Sequence, residues 1–516
     1  MNAPCRVRAL ALSLVVPVLA ACARSPRAAP PPSAARPATS AAEHAPTALA
    51  PVEGALGIGD PYYAGIGNGG YDVEHYELVL ELDLAADELV ATATLRARAR
   101  EPLASFALDL YGLEVAAVEV DGRAASFTRP PGGVAEDGRA LPPSELVVRP
   151  AAPLDAGGAF TVLVRYSGEP GLRPDAAVPF LPGVGWARAE SGVYVVSQCI
   201  GASSWYPCND HPRDKATYSF RVTVEEPYTV AANGLLQEVV DHGERRTFHF
   251  EARDPMASYL VTLNVADFAH FDLAGPRGIP VRIYHPQDAS EEELAGFRRQ
   301  VEVLALLEER FGPYPFEAAG AVLSYEPLPG ALECQTLPVY GRGAGLLPVI
   351  VHELAHQWFG DCVSPDLWRD MWLNEGFASY AEWLWSEHDL GPAAYRGQVT
   401  EAYRRLRRGK VGSPFDPGVG AVFSGRTYTR GAMVLHGLRQ EVGDETFFRI
   451  LRSWVETRHD GNGSTADFVA HAAAVAGRDL GAFFQEWLYS AVTPYVEELE
   501  PAEPGAAAPG EAGPGG

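Results

Sequence analysis

Residues 352–382 read HELAHQWFGDCVSPDLWRDMWLNEGFASYAE, and this stretch contains three candidate metal ligands and a candidate general base. On an α-helix, residues four positions apart share a face, so His352 and His356 can direct both imidazoles at one ion. Glu353 lies beside them, close enough to act as the base on a water molecule. Glu375 adds a third ligand and leaves a fourth position open, which is typical of one catalytic zinc ion per chain. The alternative is a chance motif on a surface helix.

The two segments that carry these ligands are predicted to be helices. Pro348 suits a first helical position, and Gly360 suits a C-terminal stop. Asn374 is predicted to cap the second helix, with Glu375 in its first turn. Glu382 lies two turns further along the same face. It is either an acceptor that orients a ligating imidazole or a solvated glutamate.

Motifs met in order along the chain resemble those of one enzyme family. The stretch 352–382 looks like the zinc-binding block of the aminopeptidase N-like gluzincins, which are zinc metallopeptidases. Upstream, GALE (330–333) resembles the family's Gly-Ala-Met-Glu-Asn exopeptidase motif, with Leu332 in place of Met and Cys334 in place of Asn. Downstream, YTRGA (428–432) resembles the family's Tyr-x-Lys-Gly-Ala segment. The resemblance is to the short, two-domain bacterial form of the family.

This resemblance implies a zinc-dependent aminopeptidase, which removes the first residue from peptides that have a free N-terminus. Glu353 matches the family's general base, which takes a proton from water and delivers it to the leaving amine. Tyr428 matches the phenol that donates to the oxyanion of the tetrahedral intermediate. A catalytic zinc ion lowers the pKa of its water ligand to about 7, so that hydroxide becomes available at neutral pH.

The resemblance also implies how the substrate's first residue is bound. Glu333 matches the glutamate that holds the free ammonium group, the feature that separates an aminopeptidase from an endopeptidase. Gly330 and Ala331 precede it in a predicted exposed strand or loop, which is suitable for pairing with the substrate backbone. Gln198 matches a glutamine that lines the same pocket. Ile200 departs from the family pattern, in which an acidic residue is common at this place, so ammonium binding is expected to depend mainly on Glu333.

The remaining sequence predicts an α+β protein whose resemblance to the family covers roughly residues 55–493. The resemblance implies that residues 55–270 form an N-terminal open, saddle-like β-sandwich, and residues 271–493 a thermolysin-like, mainly α catalytic domain. Alternation predicts two strands with the apolar positions Tyr76, Leu78, Leu80 and Leu82, and Tyr218, Phe220, Val222 and Val224. A capping box at Ser290 is predicted to open one long amphipathic helix. The helical domain that follows in larger members is expected to be missing, which would leave the active site more open.

Both ends of the chain are predicted to lie outside the fold. Residues 1–22 read as a lipoprotein signal peptide, because basic residues and a short apolar run precede LAAC (19–22), which resembles a bacterial lipobox. Residues 23–54 form an Ala/Pro-rich tether, and residues 494–516 a disordered acidic tail. These features predict an exported bacterial lipoprotein, periplasmic or at the cell surface, anchored through a lipid on Cys22 and favouring the outer membrane. An ordinary signal peptide is the alternative.

The net charge and the cysteines indicate which partners and which disulfides are compatible with the sequence. A net charge of −25 opposes nucleic-acid binding. An oxidising compartment permits disulfides among Cys199, Cys208, Cys334 and Cys362. A Cys334–Cys362 bridge is the favoured pairing, because both residues flank predicted active-site motifs, whereas Cys208 is expected to be a buried thiol.

Two other functions stay open beside the aminopeptidase. One is an epoxide hydrolase on the same scaffold, as one member of the broad family shows. The other is a catalytically silent, lipid-anchored protein that binds peptides. A silent protein predicts the loss of a ligand, the base or the tyrosine, and none of these is replaced in the sequence.

Overall fold

The computed structural model describes residues 50–133, 140–328, 330–409 and 411–499. The predicted signal peptide with Cys22, nearly all of the predicted tether and the end of the predicted tail lie outside the described residues. Over the described ranges, every helix is too short or too polar to cross a membrane.

The first half of the described chain is built almost entirely of strands. They are β1 (Val52–Glu53), β2 (Tyr71–Asp83), β3 (Glu88–Ala99), β4 (Leu103–Asp109), β5 (Glu114–Val120), β6 (Arg123–Ala124), β7 (Ser126–Thr128), β8 (Glu145–Arg149), β9 (Ala159–Gly168), β10 (Leu172–Arg173), β11 (Val184–Arg188), β12 (Gly192–Val196), β13 (Lys215–Glu225), β14 (Thr229–Ala232), β15 (Leu235–Asp241), β16 (Arg245–Ala257), β17 (Leu263–Ala266), β18 (Phe268–Ala274) and β19 (Pro280–Pro286).

The second half is mainly helical. Its strands are β20 (Ala319–Leu323), β21 (Ala331–Leu332), β22 (Val339–Tyr340), β23 (Ser364–Pro365) and β24 (Asn462–Gly463). Its α-helices are α1 (Glu291–Arg298), α2 (Gln300–Phe311), α3 (Leu347–His356), α4 (Trp372–Leu390), α5 (Pro392–Gly409), α6 (Gly431–Val442), α7 (Asp444–Thr457), α8 (Thr465–Ala476) and α9 (Gly481–Phe484). This change of character confirms the predicted α+β class.

The two strands predicted from alternation are neighbours in one sheet. β2 and β13 run parallel, and their apolar positions are in register: Tyr76 with Tyr218, Leu78 with Phe220, and Leu80 with Val222. All of these side chains are buried. Successive strand residues point to opposite faces, so this register places one apolar face towards the core and one polar face towards solvent.

The β domain consists of stacked sheets around a shared core. In the described residues, one sheet has the order β15-β16-β13-β2-β3-β9-β5-β6, a second β1-β4-β8-β7, and a third β10-β11-β12-β17-β14. Most of their buried apolar side chains form one hydrophobic cluster, and Tyr194, Ala231 and Ala266 of the third sheet belong to a second, smaller cluster. The predicted open β domain is therefore confirmed.

A mixed sheet begins the catalytic half, in the order β18-β19-β20-β22-β21. The predicted boundary between residues 270 and 271 falls inside β18, and this strand pairs with β19 along its whole length. β18 therefore belongs to the catalytic half. β21 lies at the edge of the sheet, and it carries Ala331 of the predicted exopeptidase motif.

The long helix predicted after Ser290 is interrupted. The capping box is present, because Ser290 accepts from the backbone of Glu293 while the Glu293 carboxylate accepts from the backbone of Ser290. At Arg299 the backbone N–H donates to Gly296, three residues back, so the chain leaves α1 and starts α2. Both helices bury one face in the core of the catalytic half.

The helices that carry the candidate ligands differ from prediction at their ends. Pro348 lies in the first turn of α3 as expected, but α3 ends at His356 and not at Gly360. Gly360 lies in the turn beyond it with a φ of +136°, where a Cβ would be 3.3 Å from Nδ1 of His356. Asn374 is not a cap, because α4 already begins at Trp372, and its amide donates to the Tyr259 hydroxyl at 3.3 Å.

Candidate active site

Three predicted ligands converge between α3 and α4. His352 and His356 lie one turn apart on α3, and Glu375 lies in the first turn of α4. Nε2 of His352 is 3.1 Å from Oε2 of Glu375, and Nε2 of His356 is 3.4 Å from the same oxygen. One ligand atom from each residue lies within 4.8 Å of the other two. The arrangement can hold one metal ion through two imidazoles and one carboxylate.

The outer ring nitrogens show that these donors fit a cation. Nδ1 of His352 lies 2.8 Å from Oε1 of Glu382, and Nδ1 of His356 lies 3.0 Å from the carbonyl oxygen of Phe359. Both partners are acceptors, so each Nδ1 carries a hydrogen, and each Nε2 faces Glu375 with a lone pair when the ring is neutral and with a second hydrogen when the ring is protonated. Lone pairs that face a carboxylate repel it unless a positive charge lies between them, and nitrogen–oxygen sets of this kind suit zinc.

The charge distribution agrees with this assignment. Burial alone would lower the pKa of His352, but its hydrogen bonds to Glu375 and Glu382 raise that pKa well above the usual range. The imidazoles in turn hold the pKa of Glu375 at about 2 against the opposing effect of burial. This corner of the molecule therefore favours positive charge, and Glu382 occupies the orienting position considered for it in the sequence.

Glu353 is directed into the same space. It is 6% exposed, and its carboxylate lies within 4.8 Å of ligand atoms of Glu333 and His356. Burial raises the pKa of Glu353 to about 7, although the two imidazoles act in the opposite direction. A buried carboxyl group that titrates near neutrality can accept and return a proton, as a general base must.

Glu333 and Gln198 are brought together from the two halves of the chain. Nε2 of Gln198 donates to Oε1 of Glu333 at 2.6 Å, and Glu333 is only 2% exposed. Burial raises the pKa of Glu333, while His356 opposes the shift. Ile200 lies in the core of the β domain, so it adds no charge to this pair.

The segment before Glu333 forms one wall of the site. Gly330 is exposed and has a φ of +105°, a conformation that favours glycine. Ala331 follows on β21, the edge strand of the mixed sheet. An edge strand has unpaired backbone groups, so a peptide can add to it as a further strand.

Tyr428 lies beside the ligands. It lies in a π-helical turn, Arg426–Arg430, directly before α6. Its ring centre is 5.8 Å from that of His352, with the two planes inclined by 19°. Burial and the nearby Glu375 raise the pKa of Tyr428 well above its usual value, so the phenol keeps its hydrogen and can donate it.

Two family models match the chain, the peptidase family M1 domain over residues 344–487 and the peptidase M1 N-terminal domain over residues 72–260. A solved structure of an M1 zinc metallopeptidase from Deinococcus radiodurans, a mutant with the substrate Tyr-Ser-Ala bound, matches with a TM-score of 0.77 at 30% identity. The match covers 85% of this chain and 99% of that one. The chain belongs to peptidase family M1.

Further M1 relatives agree with this result. A two-domain M1 zinc metallopeptidase solved with L-tryptophan has a TM-score of 0.78 at 29% identity, over 86% of this chain and 100% of that one. The probable M1 family aminopeptidase 2 of Encephalitozoon cuniculi is 27% identical over 331 residues, 56% of this chain. The chain spans 38% of that protein and 32% of a Bitis rhinoceros glutamyl aminopeptidase. The predicted family and two-domain fold are confirmed, and zinc is the metal of the solved M1 relatives.

Gln357 is a residue of this M1 site that sequence reasoning missed. Its side-chain amide donates to the backbone oxygen of Glu333 at 3.1 Å and to the Asp361 carboxylate at 2.7 Å. Its oxygen accepts from the backbone of Thr336 at 2.8 Å and from the Tyr314 hydroxyl at 3.1 Å. Gln357 thereby links the zinc helix to the segment that carries Glu333. Its only signal in the sequence was its place directly after His356.

The predicted Cys334–Cys362 disulfide is wrong. Cys199, Cys208, Cys334 and Cys362 are all buried free thiols. Cys334 lies beside Thr262 in the small cluster between the two halves, whereas Cys362 lies beside Asp460. The two thiols therefore have different surroundings, although each follows an active-site motif. Cys208 is a buried thiol, as expected.

Proposed function

We propose that this M1 protein is a zinc aminopeptidase that removes the first residue from peptides with a free N-terminus. The observation that carries the proposal is the buried carboxylate of Glu333, within 4.8 Å of ligand atoms of Glu353 and His356. A buried anion needs a positive partner, and the ammonium group of a substrate supplies one at this place. Relatives named as aminopeptidases support the same activity.

The ligand set is His352, His356 and Glu375. When bound there, zinc supplies a Lewis acid that polarises the scissile carbonyl and makes water a stronger acid. Glu382 and the carbonyl of Phe359 accept the outer imidazole hydrogens, so both Nε2 atoms stay available as ligands.

Glu353 and Tyr428 carry out the proton and charge chemistry. Glu353 takes a proton from the attacking water and passes it to the leaving amine. Tyr428 donates its phenol hydrogen to the oxyanion of the tetrahedral intermediate, where a single donor typically contributes about 10²–10³ in turnover.

Glu333 sets the point of cleavage. Gln198 fixes the carboxylate with a 2.6 Å hydrogen bond, so the carboxylate stays at one distance from the ligands. A substrate whose ammonium group binds Glu333 and whose backbone pairs with β21 presents its first peptide bond to Glu353.

Hydrolysis of leucine p-nitroanilide and of its N-acetyl derivative tests this proposal. The free amine is expected to be cleaved, and the blocked substrate about 10²-fold or more slowly, because acetylation removes the charge that pairs with Glu333. Equal cleavage of the two substrates would refute ammonium binding.

Two variants make the test specific. Glu333→Gln is expected to lose most of the preference for the free amine. Glu326→Gln is the matched control, because Glu326 precedes the same segment but binds the backbone and hydroxyl of Ser191. That control is expected to keep the preference. A Glu333→Gln enzyme with the wild-type preference would contradict the proposal.

The alternative functions gain no separate support. A silent binding protein predicts a broken site, yet His352, His356, Glu375, Glu353 and Tyr428 all converge. Among the described residues, no contact favours epoxide opening over peptide hydrolysis.

We also infer that the protein is an exported lipoprotein anchored through Cys22. The support is the lipobox-like LAAC (19–22), which lies outside the described residues, and the Ala/Pro-rich stretch after it, nearly all of which also lies outside them. In a bacterial host, wild type is expected in the membrane fraction and to incorporate labelled palmitate, whereas Cys22→Ser is not. Cys5→Ser, earlier in the same leader, is the control and should behave as wild type. Membrane retention and labelling of Cys22→Ser would overturn the inference.

A further inference from the structure

A cavity of about 270 Å³ opens beside the active site. Its walls include Gln198, Gly330 and Tyr428, so it is continuous with the place proposed for the substrate's first residue. The cavity is smaller than the roughly 300–1,000 Å³ of pockets for drug-sized ligands. It therefore suits one side chain rather than a longer piece of peptide.

The cavity has an uncharged lining, whereas the zinc side of the site carries carboxylates. Every described residue that lines it is uncharged, and the loop after β10, residues 174–183, forms one wall with Val178, Phe180 and Leu181. The carboxylates of Glu333 and Glu353 lie outside this lining. A charged side chain that entered the cavity would lose water without gaining an ionic partner, whereas an apolar side chain would gain by leaving water.

Phe180 is the unusual member of this wall. It is 73% exposed, more than any other large apolar side chain in the described residues. An aromatic ring in water at the mouth of an apolar cavity provides surface that a bound apolar group can cover.

The loop that carries Phe180 is firmly attached to the site. Asp175 accepts from the backbone of Ala177 at 2.8 Å and from the backbone of Cys199 at 3.1 Å. Cys199 directly follows Gln198, which holds Glu333. The backbone of the loop that carries Phe180 is thus held next to the segment that positions the ammonium-binding carboxylate.

We propose that Phe180 and its loop select peptides that begin with a large apolar residue, such as phenylalanine or leucine. This inference rests on the proposed aminopeptidase function and specifies its substrate class. The side chain of the first residue enters the uncharged cavity while its ammonium group binds Glu333, and Phe180 covers the outer face of that side chain.

A profile of p-nitroanilides with different first residues tests the substrate class. We expect kcat/KM for Phe and Leu substrates to exceed that for Arg and Glu substrates by about tenfold or more, because the charged side chains are desolvated without partners. Arg or Glu substrates cleaved as well as Phe would overturn the inference.

Two substitutions at the exposed position test Phe180 itself without disturbing the core. Phe180→Ala is expected to lower kcat/KM about tenfold for Phe and Leu substrates, mainly through KM, and to leave the Ala substrate within about twofold. Phe180→Glu is expected to raise Arg relative to Phe substrates. Leu390→Ala is the matched control, since Leu390 is 70% exposed but lies outside the cavity.

The outcomes separate this inference from the function on which it rests. Cleavage of free amines with a flat profile overturns the proposed substrate class and leaves the aminopeptidase function standing. An equal loss on all substrates in Phe180→Ala overturns the role of Phe180. If no free-amine substrate is cleaved while the purified protein contains zinc, the aminopeptidase proposal fails and the inference fails with it.

Discussion

At the residue scale, the chemistry depends on which atom of each side chain faces the others. His352 and His356 turn their Nδ1 atoms outwards to acceptors and their Nε2 atoms towards Glu375. Glu353 has no ligand role in this arrangement, and its carboxylate remains free to exchange protons. In the proposed mechanism, holding the metal and moving the proton are therefore separate tasks of different residues.

Separation of these tasks predicts different outcomes for two substitutions. Glu353→Gln is expected to keep zinc and to lose about 10³-fold or more in kcat, because the amide cannot accept the water's proton. His352→Ala is expected to lose the zinc itself, because only two of the three protein ligands remain. Metal analysis of both dialysed proteins, beside their rates, checks the prediction. Full zinc content in His352→Ala would contradict the ligand assignment.

Substitution of Glu382 is expected to change the zinc affinity indirectly, through the orientation of His352. Glu382→Gln is expected to weaken zinc binding by about 10–100-fold, because the carboxylate that orients His352 is lost. Glu387→Gln on the same helix is the control. The Glu387 side chain is 28% exposed and that of Glu382 is 31% exposed, but Glu387 pairs with Arg439, which lies outside the site. Competition with a zinc chelator measures both. Equal affinities in the two variants would argue that Glu382 is merely solvated.

At the scale of elements, the close crossing of α4 and α6 positions both sides of the site. Gly376 on α4 faces Gly431 at the start of α6, and a Cβ on either glycine would lie 2.8 Å from the other's Cα. Glu375 directly precedes one of these glycines, and Tyr428 lies just before the other. Small residues at the crossing thus bring Glu375 and Tyr428 to the same place.

Two Gly→Ala substitutions in helices are therefore expected to have opposite effects. Gly376→Ala should destabilise the protein by about 1–3 kcal/mol, because the backbones must move apart, and should weaken zinc binding. Gly397→Ala should stabilise it by about 0.4–1 kcal/mol, because a Cβ there meets open space on α5 and the unfolded chain loses freedom. Urea unfolding measures both free energies. A neutral Gly376→Ala would show that the crossing is not tight.

At the scale of the whole molecule, the β domain holds the loop between the two ligand helices. Nζ of Lys215 donates to the carbonyl oxygens of Asp361 and Cys362 at 2.7 and 2.9 Å. The backbone of Trp368 donates to Asp60 at 2.9 Å, and its ring lies in the core of the β domain. The zinc site is therefore supported by both halves of the chain.

A buried acid in the β domain predicts how stability depends on pH. Asp214 accepts from Val73 at 3.0 Å and from the Asn209 amide, and burial raises its pKa to about 8. The folded state thus keeps a proton that the unfolded chain releases above about pH 4, so this group's contribution to stability falls as pH rises from about 4 to 8. Below that window the contribution is fully present.

Asp214→Asn isolates this contribution, because asparagine does not titrate. Between pH 5 and pH 8, the unfolding free energy of wild type is expected to fall more steeply with pH than that of Asp214→Asn. The two slopes should differ by up to about 1.4 kcal/mol per pH unit. Urea unfolding at several pH values measures both slopes. Identical slopes would show that Asp214 has an ordinary pKa in the folded protein.

Local patterns predicted the parts of the fold that neighbours in sequence decide. The alternation of apolar and polar residues in β2 and β13 predicts which face is buried, and the capping box at Ser290 predicts where α1 starts. Both features depend on residues only a few positions apart. The break at Arg299 and the end of α3 at His356 were missed, since the packing of other segments decides where a helix stops. The disulfide was predicted from proximity of motifs, which does not determine where a thiol points.

The sequence by itself determined the family and predicted the ligands and the base, because helical spacing and ordered motifs define which residues can share one metal ion. Only the tertiary structure decided what surrounds them. Gln198 meets Glu333, Gln357 joins the zinc helix to the same segment, and Phe180 stands at the mouth of an uncharged cavity. These contacts join residues far apart in the chain, and no local periodicity encodes which distant segments will pack together.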